Sequence, residues 1–544
     1  MEKGFITKEA KLYLPAESWE EIAISDAEII YKPRYFHKTF EWRDVQKLRS
    51  EKLPFIYIKY AESKIVYVEA CSGVVREAPV FYAIKDKSLI ISDSPQRITK
   101  HFGFHDLNES ALNEFLSFGY ATTHKTLLNE VYSIQAGEAL VFDNYKIKIE
   151  TRYLYNTSSI NRQPREELFQ KLKKVTEEVF HKLIVSLKGK TAIVPLSGGY
   201  DSRFIVAMLK LGGYDNVACY AWGVKGDREI EVSKAVAKKL GYKWKAIDYS
   251  RQNWMNAITS EWYRDCMRFV SRDTSISGSA SLPFLNYLKL IQIQKDSVLI
   301  PGHTADFLGG GHIPATLHTN STAEDVVESI FGKHYLGTTK SYNELLAKEI
   351  RRQVNLYGSQ STELYRAFEI WNWRERQSKF IANINRYYEY FGYSWNMPFW
   401  SAEFVNFWSA VPLEEKRDLN LYDEFLENEI FEKLDLQFPI DRKRAGKHGK
   451  FLPGQNPLHF LKKYKIYRNI SAKLRSKVAS NPFGFEYILP DLYNLSRQDF
   501  PQGFALMEGY KKKFNIKHSS NPYAYISQYV LALALEDLEN DLLG

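Results

Sequence analysis

The chain has 544 residues, of which 44% are hydrophobic and 26% charged, and its formal net charge is +9. This length exceeds what one compact core accommodates, so we expect two or three domains of ordinary globular composition. The basic residues are scattered, and a general excess of lysine accounts for the charge better than a nucleic-acid partner does.

Three cysteines, Cys71, Cys219 and Cys266, show neither CxxC nor Cys/His spacing, which argues against a disulfide framework or a zinc site. The first residues lack the apolar stretch of a signal peptide. No uncharged apolar run approaches the roughly 18 residues that a membrane span needs. We therefore expect a cytoplasmic protein without a membrane span.

Residues 1–155 are rich in predicted strands, with one helix predicted from Asn108 onward. The short β-prone runs separated by polar residues are 55–60, 64–69, 80–83, 88–92 and 139–142. The polar, proline-containing stretch 156–165 predicts a linker. These residues thus favour an N-terminal domain that ends near residue 155.

Strand and helix patterns alternate after the linker, which favours a parallel α/β sheet. Helical spacing is found at 166–187 and 229–240, and strand patterns at 191–196, 217–222, 244–247 and 297–300. Residues from 315 to the end are predicted to be mostly helical, from the patterns at 323–330, 341–354, 364–390 and 524–543.

The segment Val194–Arg203 (VPLSGGYDSR) is the most specific motif in the chain. An apolar strand leads into a Ser-Gly-Gly turn, and a helical pattern begins at Asp201 and Ser202. Two glycines let backbone N–H groups approach an anion, and the helix N-terminus adds a positive dipole. We interpret this turn as a pyrophosphate cradle, against the simpler alternative of an ordinary serine-glycine turn.

The motif resembles the pyrophosphate loop of the asparagine synthetase class B superfamily. The resemblance implies an α/β fold, with an N-terminal glutaminase-like α+β sandwich (1–155) followed by a PP-loop parallel-sheet synthetase domain with a helical C-terminal part (156–544). It implies nucleotide binding by eight residues: Leu196, Ser197, Gly198, Gly199, Asp201, Ser202, Trp222 and Gly302.

The segment Pro301–Gly311 resembles a second motif of the same family. By that resemblance, Asp306 is a second Mg²⁺ ligand, paired with Asp201. The alternative role for Asp306 is that of a helix N-cap.

Three departures from the family pattern bear on the reaction. Glu2 stands where glutamine-hydrolysing members have a cysteine, so the N-terminal domain is predicted to lack glutaminase activity. His303 replaces a Glu or Tyr and is a candidate general base titrating near neutral pH, or else a histidine that only bonds nearby backbone. Phe307 replaces the family's second acid, which weakens the case for aspartate as substrate.

The family also places a lysine late in the chain that stabilises the acyl-adenylate and the oxyanion that follows it. Lys443, Lys447 and Lys450 are the candidates here, and Lys447 is favoured because Gly449 and Phe451 follow it. The alternative is a solvated basic loop.

The predicted function is an ATP- and Mg²⁺-dependent ligase that adenylates a carboxylate and passes the acyl group to ammonia or an amine. The first alternative is an intramolecular cyclase of the β-lactam or lasso-peptide type, and the second is a non-catalytic member. A PP-loop enzyme acting on tRNA is disfavoured. A precursor peptide or carrier protein remains a candidate partner.

Overall fold

The structure is a computed structural model that describes residues 5–6, 9–38, 40–155, 160, 162–272, 274–293, 296–337, 344–359, 363–438, 483–517 and 521–543. The strands are β1 (Phe5–Ile6), β2 (Glu9–Tyr13), β3 (Trp19–Ser25), β4 (Glu28–Pro33), β5 (Phe55–Ala61), β6 (Lys64–Cys71), β7 (Phe81–Lys85), β8 (Ser88–Ser92), β9 (Val131–Ser133), β10 (Glu138–Asp143), β11 (Lys146–Thr151), β12 (Ala192–Pro195), β13 (Val217–Gly223), β14 (Lys243–Asp248), β15 (Val298–Leu299) and β16 (Ser394–Trp395).

The α-helices of the described residues follow in chain order: α1 (Val45–Ser50), α2 (Pro95–Phe102), α3 (Glu109–Phe118), α4 (Arg165–Leu187), α5 (Tyr200–Leu211), α6 (Arg228–Leu240), α7 (Arg251–Ile258), α8 (Glu261–Ser271), α9 (Leu282–Leu290), α10 (Ala305–Leu308), α11 (Ala323–His334), α12 (Glu344–Gly358), α13 (Arg366–Trp371), α14 (Asn385–Tyr390), α15 (Ala402–Ala410), α16 (Leu413–Lys416), α17 (Asn420–Phe425), α18 (Leu489–Asp499), α19 (Pro501–Lys513) and α20 (Pro522–Leu543).

Two sheets form the N-terminal part. The larger is antiparallel, in the order β1-β11-β10-β6-β5-β4-β3, and the smaller is mixed, in the order β2-β8-β7-β9. Side chains along β5 point alternately to the two faces of the larger sheet. Ile56 and Ile58 belong to an apolar cluster made of residues from both sheets, and Phe55 and Tyr57 belong to a second cluster. Residues from two sheets in one apolar cluster are consistent with the predicted sandwich.

The second part is built on a parallel sheet of order β14-β13-β12-β15-β16. The chain moves outward from β12 through β13 to β14 and returns to place β15 on the other side of β12. The strand order therefore reverses between β12 and β15. In open parallel sheets, ligands bind at such a switch point, outside the carboxyl ends of the strands.

Local signals explain why the elements begin and end where they do. The Asn108 side chain accepts from the backbone N–H of Ala111 and caps α3, as the sequence predicts. Helix α6 ends at Gly241, whose φ of 73° suits a glycine C-cap. The predicted strands at 217–222 and 244–247 are confirmed as β13 and β14.

The helical pattern predicted across residues 364–390 is confirmed, but the segment is not one regular α-helix. After α13, residues Asn372–Ile381 form a π-helix and Ala382–Ile384 a 3₁₀ turn before α14 begins. The side chain of Glu375 in this π-helix accepts from the backbone N–H of Thr123, at 3.0 Å, and from Gln135 Nε2, at 3.2 Å, both in the N-terminal part. The wider turn of the π-helix occurs where these long-range contacts are made. The spacing of apolar residues along the sequence gives no information about such contacts.

Across the described residues, we find no helix with both the length and the apolar character that crossing a bilayer requires. The division into domains at residue 155 stays a prediction. The polar stretch that was predicted to be a linker lies partly outside the described residues.

Candidate functional site

The loop after β12 lies at the switch point of the parallel sheet. The Leu196 N–H donates to the Tyr220 carbonyl at 2.8 Å, which continues the ladder with β13 to the end of the strand. Ser202 Oγ accepts from the Ser197 N–H at 3.0 Å, and Ser197 Oγ accepts from the Gly199 N–H at 3.1 Å. These bonds fold the loop over the N-terminus of α5 and use the N–H groups of Ser197 and Gly199 within the loop.

Two glycines of this region allow contacts that a Cβ would block. A Cβ on Gly302 would lie 2.6 Å from the Ser202 nitrogen and 2.8 Å from the Asp201 carbonyl carbon. A Cβ on Gly198 would lie 2.9 Å from Glu229 Cα at the start of α6. Backbone therefore packs directly on backbone, and the loop after β15 touches the first turn of α5.

Arg203 supports the loop from the protein interior. Its buried guanidinium donates to the Gly198 carbonyl at 2.8 Å and to the carbonyls of Leu436 and Phe438 at 3.1 and 2.9 Å. These bonds join the Ser-Gly-Gly turn to residues 436–438. Arg203 is the last residue of the segment Val194–Arg203, but its role in holding the loop was not predicted from the sequence.

The structure brings Asp201 and Asp306 together, as the resemblance implies. Asp201 Oδ2 accepts from the Asp306 backbone N–H at 3.1 Å, and Asp201 Oδ1 accepts from the Tyr422 hydroxyl at 2.8 Å. Loss of hydration and the charge of Asp306 raise the pKa of Asp201 well above its usual range. Asp306 lies in the first turn of α10, and the N-cap of that helix is Thr304.

His312 is the second partner of this carboxylate pair, since its Nε2 lies 3.4 Å from Asp306 Oδ2. Loss of hydration opposes ionisation of Asp306, but the interaction with His312 outweighs it and lowers the pKa of Asp306. Among the described residues, no group of three or more His, Cys, Asp or Glu side chains has the arrangement of a metal cage.

Two repelling carboxylates beside an anion cradle nevertheless fit a divalent cation. Mg²⁺ in phosphate-binding sites is held by one or two carboxylates, and substrate phosphates and water complete its coordination. Asp201 and Asp306 supply that number of protein ligands. The raised pKa of Asp201 reflects burial and the charge of Asp306, whereas the contact with His312 favours the ionised form of Asp306.

His303 lies between Gly302 and Thr304 in the loop after β15. Its Nε2 is buried without a hydrogen-bond partner in the described part of the chain, and burial lowers its pKa to about 4. The expectation of titration near neutral pH is therefore wrong. At neutral pH the imidazole is uncharged and keeps a lone pair for accepting a proton.

Thr304 adopts φ 86°, a left-handed conformation that a β-branched residue rarely takes. Its Oγ1 accepts from Trp400 Nε1 at 3.1 Å, and the residue is buried. The hydrogen bond from Trp400 stabilises this strained turn, and the turn sets the directions of the His303 and Asp306 side chains. Strain that is retained in this way is typical of functional sites.

Trp222 lies at the carboxyl end of β13, at the same edge of the sheet. Its indole is half-buried and stacks on Phe284, with ring centroids 4.5 Å apart and an interplanar angle of 19°. The stack continues to Tyr249 at 6.4 Å. A flat aromatic surface beside a phosphate cradle is suited to a nucleobase.

The remaining predicted site residues, Lys443, Lys447 and Lys450, lie outside the described residues. Tyr422 and His312 were not predicted from the sequence. Tyr422 has no motif around it, and only packing of α17 against α5 brings it to Asp201. His312 directly follows the glycines of the second motif, and this proximity was the available signal.

We expect Tyr422→Phe to lower the rate of ATP-dependent pyrophosphate exchange roughly tenfold or more, because a hydrogen bond to a charged group is lost. Steady-state exchange kinetics on purified protein measure this. Tyr153→Phe is the matched control, since the buried Tyr153 hydroxyl has no hydrogen-bond partner among described residues. Equal rates for both variants would contradict a role for Tyr422 in holding Asp201.

Comparison with known proteins agrees with this geometry. Residues 191–421 match the sequence profile of the asparagine synthase family. Over 120 residues, the chain is 31% identical to a probable asparagine synthetase (glutamine-hydrolyzing) of Acanthamoeba polyphaga mimivirus. That alignment covers 22% of this chain and 21% of the viral protein, so the match spans about a fifth of the length of this relative.

Proposed function

With residues 191–421 matched to the asparagine synthase family, the chain is a member of the asparagine synthetase class B superfamily, and we propose that it is an ATP-dependent amide ligase. It adenylates a carboxylate, releases pyrophosphate and passes the acyl group to ammonia or another amine. The observation that carries the proposal is the Asp201–Asp306 pair beside the loop 197–202 at the switch point of the sheet.

The N-terminus of α5, beneath the loop, binds the β- and γ-phosphates of ATP through its backbone N–H groups and its positive dipole. Arg203 holds the Gly198 carbonyl and so fixes the direction in which the turn presents its N–H groups. Trp222 provides the surface on which the adenine stacks. Together these contacts place the α-phosphorus at the carboxyl edge of β12 and β15, where a substrate carboxylate attacks it.

Asp201 and Asp306 hold the Mg²⁺ that accompanies ATP, and Tyr422 orients the Asp201 carboxylate. When bound, this ion offsets the charge that develops on the leaving pyrophosphate. His312 orients Asp306 from the opposite oxygen.

His303 acts in the second half-reaction. Its uncharged Nε2 accepts a proton from the amine that attacks the acyl-adenylate. Lys447, or its neighbours Lys443 and Lys450, stabilises the tetrahedral oxyanion. The products are an amide, AMP and pyrophosphate.

We propose that the amine does not come from glutamine hydrolysis by a thiol of this chain. All three cysteines in the sequence are buried. Burial raises the pKa of Cys71, Cys219 and Cys266, which keeps them protonated and poorly nucleophilic. An external amine, or ammonia from another source, is therefore the acceptor.

Intramolecular ring closure, of the β-lactam or lasso-peptide type, uses the same site and is the second candidate. Ring closure differs from the intermolecular reaction only because the carboxylate and the amine belong to the same molecule. A precursor peptide would then be the substrate that the protein binds. A non-catalytic role is disfavoured, because a scaffold has no need for a second carboxylate whose charge raises the pKa of Asp201 beside this loop.

Hydroxylamine trapping tests the proposal. The protein is incubated with ATP, Mg²⁺, hydroxylamine and a panel of amino acids, uronic acids and lysate peptides, and products are analysed by mass spectrometry. We expect one hydroxamate per AMP formed, because hydroxylamine intercepts an acyl-adenylate. A peptide that loses one water in the presence of ATP would favour the cyclase. ATP cleavage to ADP would contradict adenylation.

A further inference from the structure

The imidazole ring of His312 is contacted by two side-chain amides of the π-helix Asn372–Ile381. Gln377 Nε2 lies 3.2 Å from His312 Nδ1, and Asn372 Nδ2 lies 3.4 Å from the same nitrogen. The other ring nitrogen, His312 Nε2, lies 3.4 Å from Asp306 Oδ2. Both amide residues are buried, and neither has a part in the steps derived above. His312 therefore lies between the carboxylate pair and a pair of buried amides.

The π-helix explains how two residues five positions apart reach one atom. In an α-helix, residues five apart differ in direction by about 140°, so Asn372 and Gln377 would point to different sides. A π-helix closes its hydrogen bonds between residues i and i+5, which places such residues on one side of the helix. Gln377 Nε2 also donates to Asn372 Oδ1, at 3.1 Å. The wider turn thus forms an amide pair that a regular α-helix would separate.

The carboxylate of Asp306 sets the polarity of these contacts. An ionised carboxylate only accepts hydrogen bonds, so the proton of an uncharged His312 ring belongs on Nε2, the nitrogen that faces Asp306. Nδ1 then keeps its lone pair, which only a donor satisfies, and the amino groups of Asn372 and Gln377 are such donors. Because Gln377 donates to the Asn372 oxygen, neither amide turns over alone without bringing two acceptors together.

The surroundings of the amide pair hold this arrangement in place. Lys333 Nζ donates to the His312 carbonyl at 2.7 Å and so fixes the backbone that carries the ring. Asn372 Nδ2 also lies 3.3 Å from Nε2 of the buried His334, so its amino group reaches two imidazole rings. Gln377 Oε1 has no hydrogen-bond partner among the described residues, so the contacts of its amino group alone orient that amide.

We propose that Asn372 and Gln377 are positioning residues, which hold His312 with its Nε2 proton directed at Asp306. His312 in turn fixes the direction in which the Asp306 carboxylate meets the cation of ATP. This inference rests on the proposed function for the role of Asp306, whereas the position of the imidazole proton is measurable without any substrate. Removing a group that orients a metal ligand typically costs about 10–100-fold in metal affinity or activity.

Nitrogen-15 NMR of the full-length protein, labelled at histidine and free of nucleotide and metal, tests where the proton lies. Protonated and unprotonated ring nitrogens have well-separated chemical shifts. The variants His312→Gln and His312→Asn identify the signals of this ring by their loss. We expect a protonated Nε2 and an unprotonated Nδ1 at neutral pH. A proton on Nδ1, with or without a second one on Nε2, overturns the proposal.

Gln377→Met and Asn372→Leu each remove one donor that faces Nδ1 and nearly keep the volume of the side chain. We expect both tautomers of His312 to be populated in each variant. The Mg²⁺ concentration for half-maximal ATP turnover should rise roughly tenfold. Gln353→Met is the matched control, because Gln353 is equally buried but donates to Thr122 Oγ1 on another part of the chain. It should leave the His312 signals and the Mg²⁺ requirement unchanged.

The same proteins separate this inference from the proposed function. Hydroxamate formation, with His312 signals that both amide variants leave unchanged, supports the ligase and overturns the positioning role. A tautomer and a Mg²⁺ requirement that both depend on Gln377, in a protein that cleaves ATP to ADP, support the positioning role and overturn the ligase. A shifted tautomer with an unchanged Mg²⁺ requirement overturns the proposal, because His312 then does not act through Asp306.

Discussion

Replacing Asp201 by asparagine is expected to reduce ATP-dependent pyrophosphate exchange by roughly a thousandfold, or about 4 kcal/mol of activation free energy. The substitution keeps the size of the side chain and removes the charge that holds the cation of ATP. Asp306 alone then provides a single carboxylate at the cradle, and the Tyr422 hydroxyl loses a charged acceptor. Exchange of labelled pyrophosphate into ATP measures the effect.

The fold is expected to tolerate this change. Because folding raises the pKa of Asp201, its ionised form reduces the free energy of unfolding at neutral pH, and an uncharged amide removes that cost. The melting temperature of Asp201→Asn without nucleotide should equal or exceed that of the parent. An exchange rate within threefold (roughly 0.7 kcal/mol) of the parent would contradict the assignment of Asp201.

Gly302→Ala is expected to have the second largest effect, a loss of roughly a hundredfold in the same exchange rate. The new Cβ would lie 2.6 Å from the Ser202 nitrogen, in a contact between two backbone segments that cannot move aside as a flexible side chain does. Relief requires the loop after β15 to shift away from α5, which separates Asp306 from Asp201. We expect a stability cost of about 1–3 kcal/mol.

Gly509→Ala in α19 is the matched control, since a Cβ there meets no atom within 4 Å. It should leave exchange unchanged and raise the free energy of unfolding by about 0.5–1 kcal/mol, because alanine favours the helical state. Chemical denaturation and exchange kinetics on both variants provide the comparison. A Gly302→Ala protein with parental exchange would show that the close approach of the loops is unimportant for catalysis.

Much of the fold was predictable because its signals are local. The strands from β5 to β8 and from β12 to β14 coincide closely with β-prone runs, and α3 and α6 begin and end at recognisable capping residues. The region 364–390 was not predictable in the same way. Its helical periodicity is genuine, but Glu375 and the buried charges around it meet partners in the N-terminal part, and the helix widens there.

The residues of the candidate site also differ in whether a local sequence pattern indicates them. The Ser-Gly-Gly turn between a strand and a helix indicates Asp201 by local pattern, and the resemblance of the second glycine motif to the family indicates Gly302 and Asp306. Tyr422 lies in no such pattern, since it is 221 residues from Asp201 along the chain and contacts it only through packing of α17. The low pKa of His303 was not predictable either, because burial, not residue type, sets it.

The sequence by itself predicted many of the strands and helices and the strand-turn-helix pattern that contains Asp201, because backbone propensity, side-chain period and glycine spacing act over a few residues. Asp306 was indicated by the family resemblance of the segment that contains it. The tertiary structure alone decided how close the carboxylates lie, which groups lose water, and which amides contact His312. Those properties depend on distance and burial between distant segments, and electrostatic free energies change steeply with both.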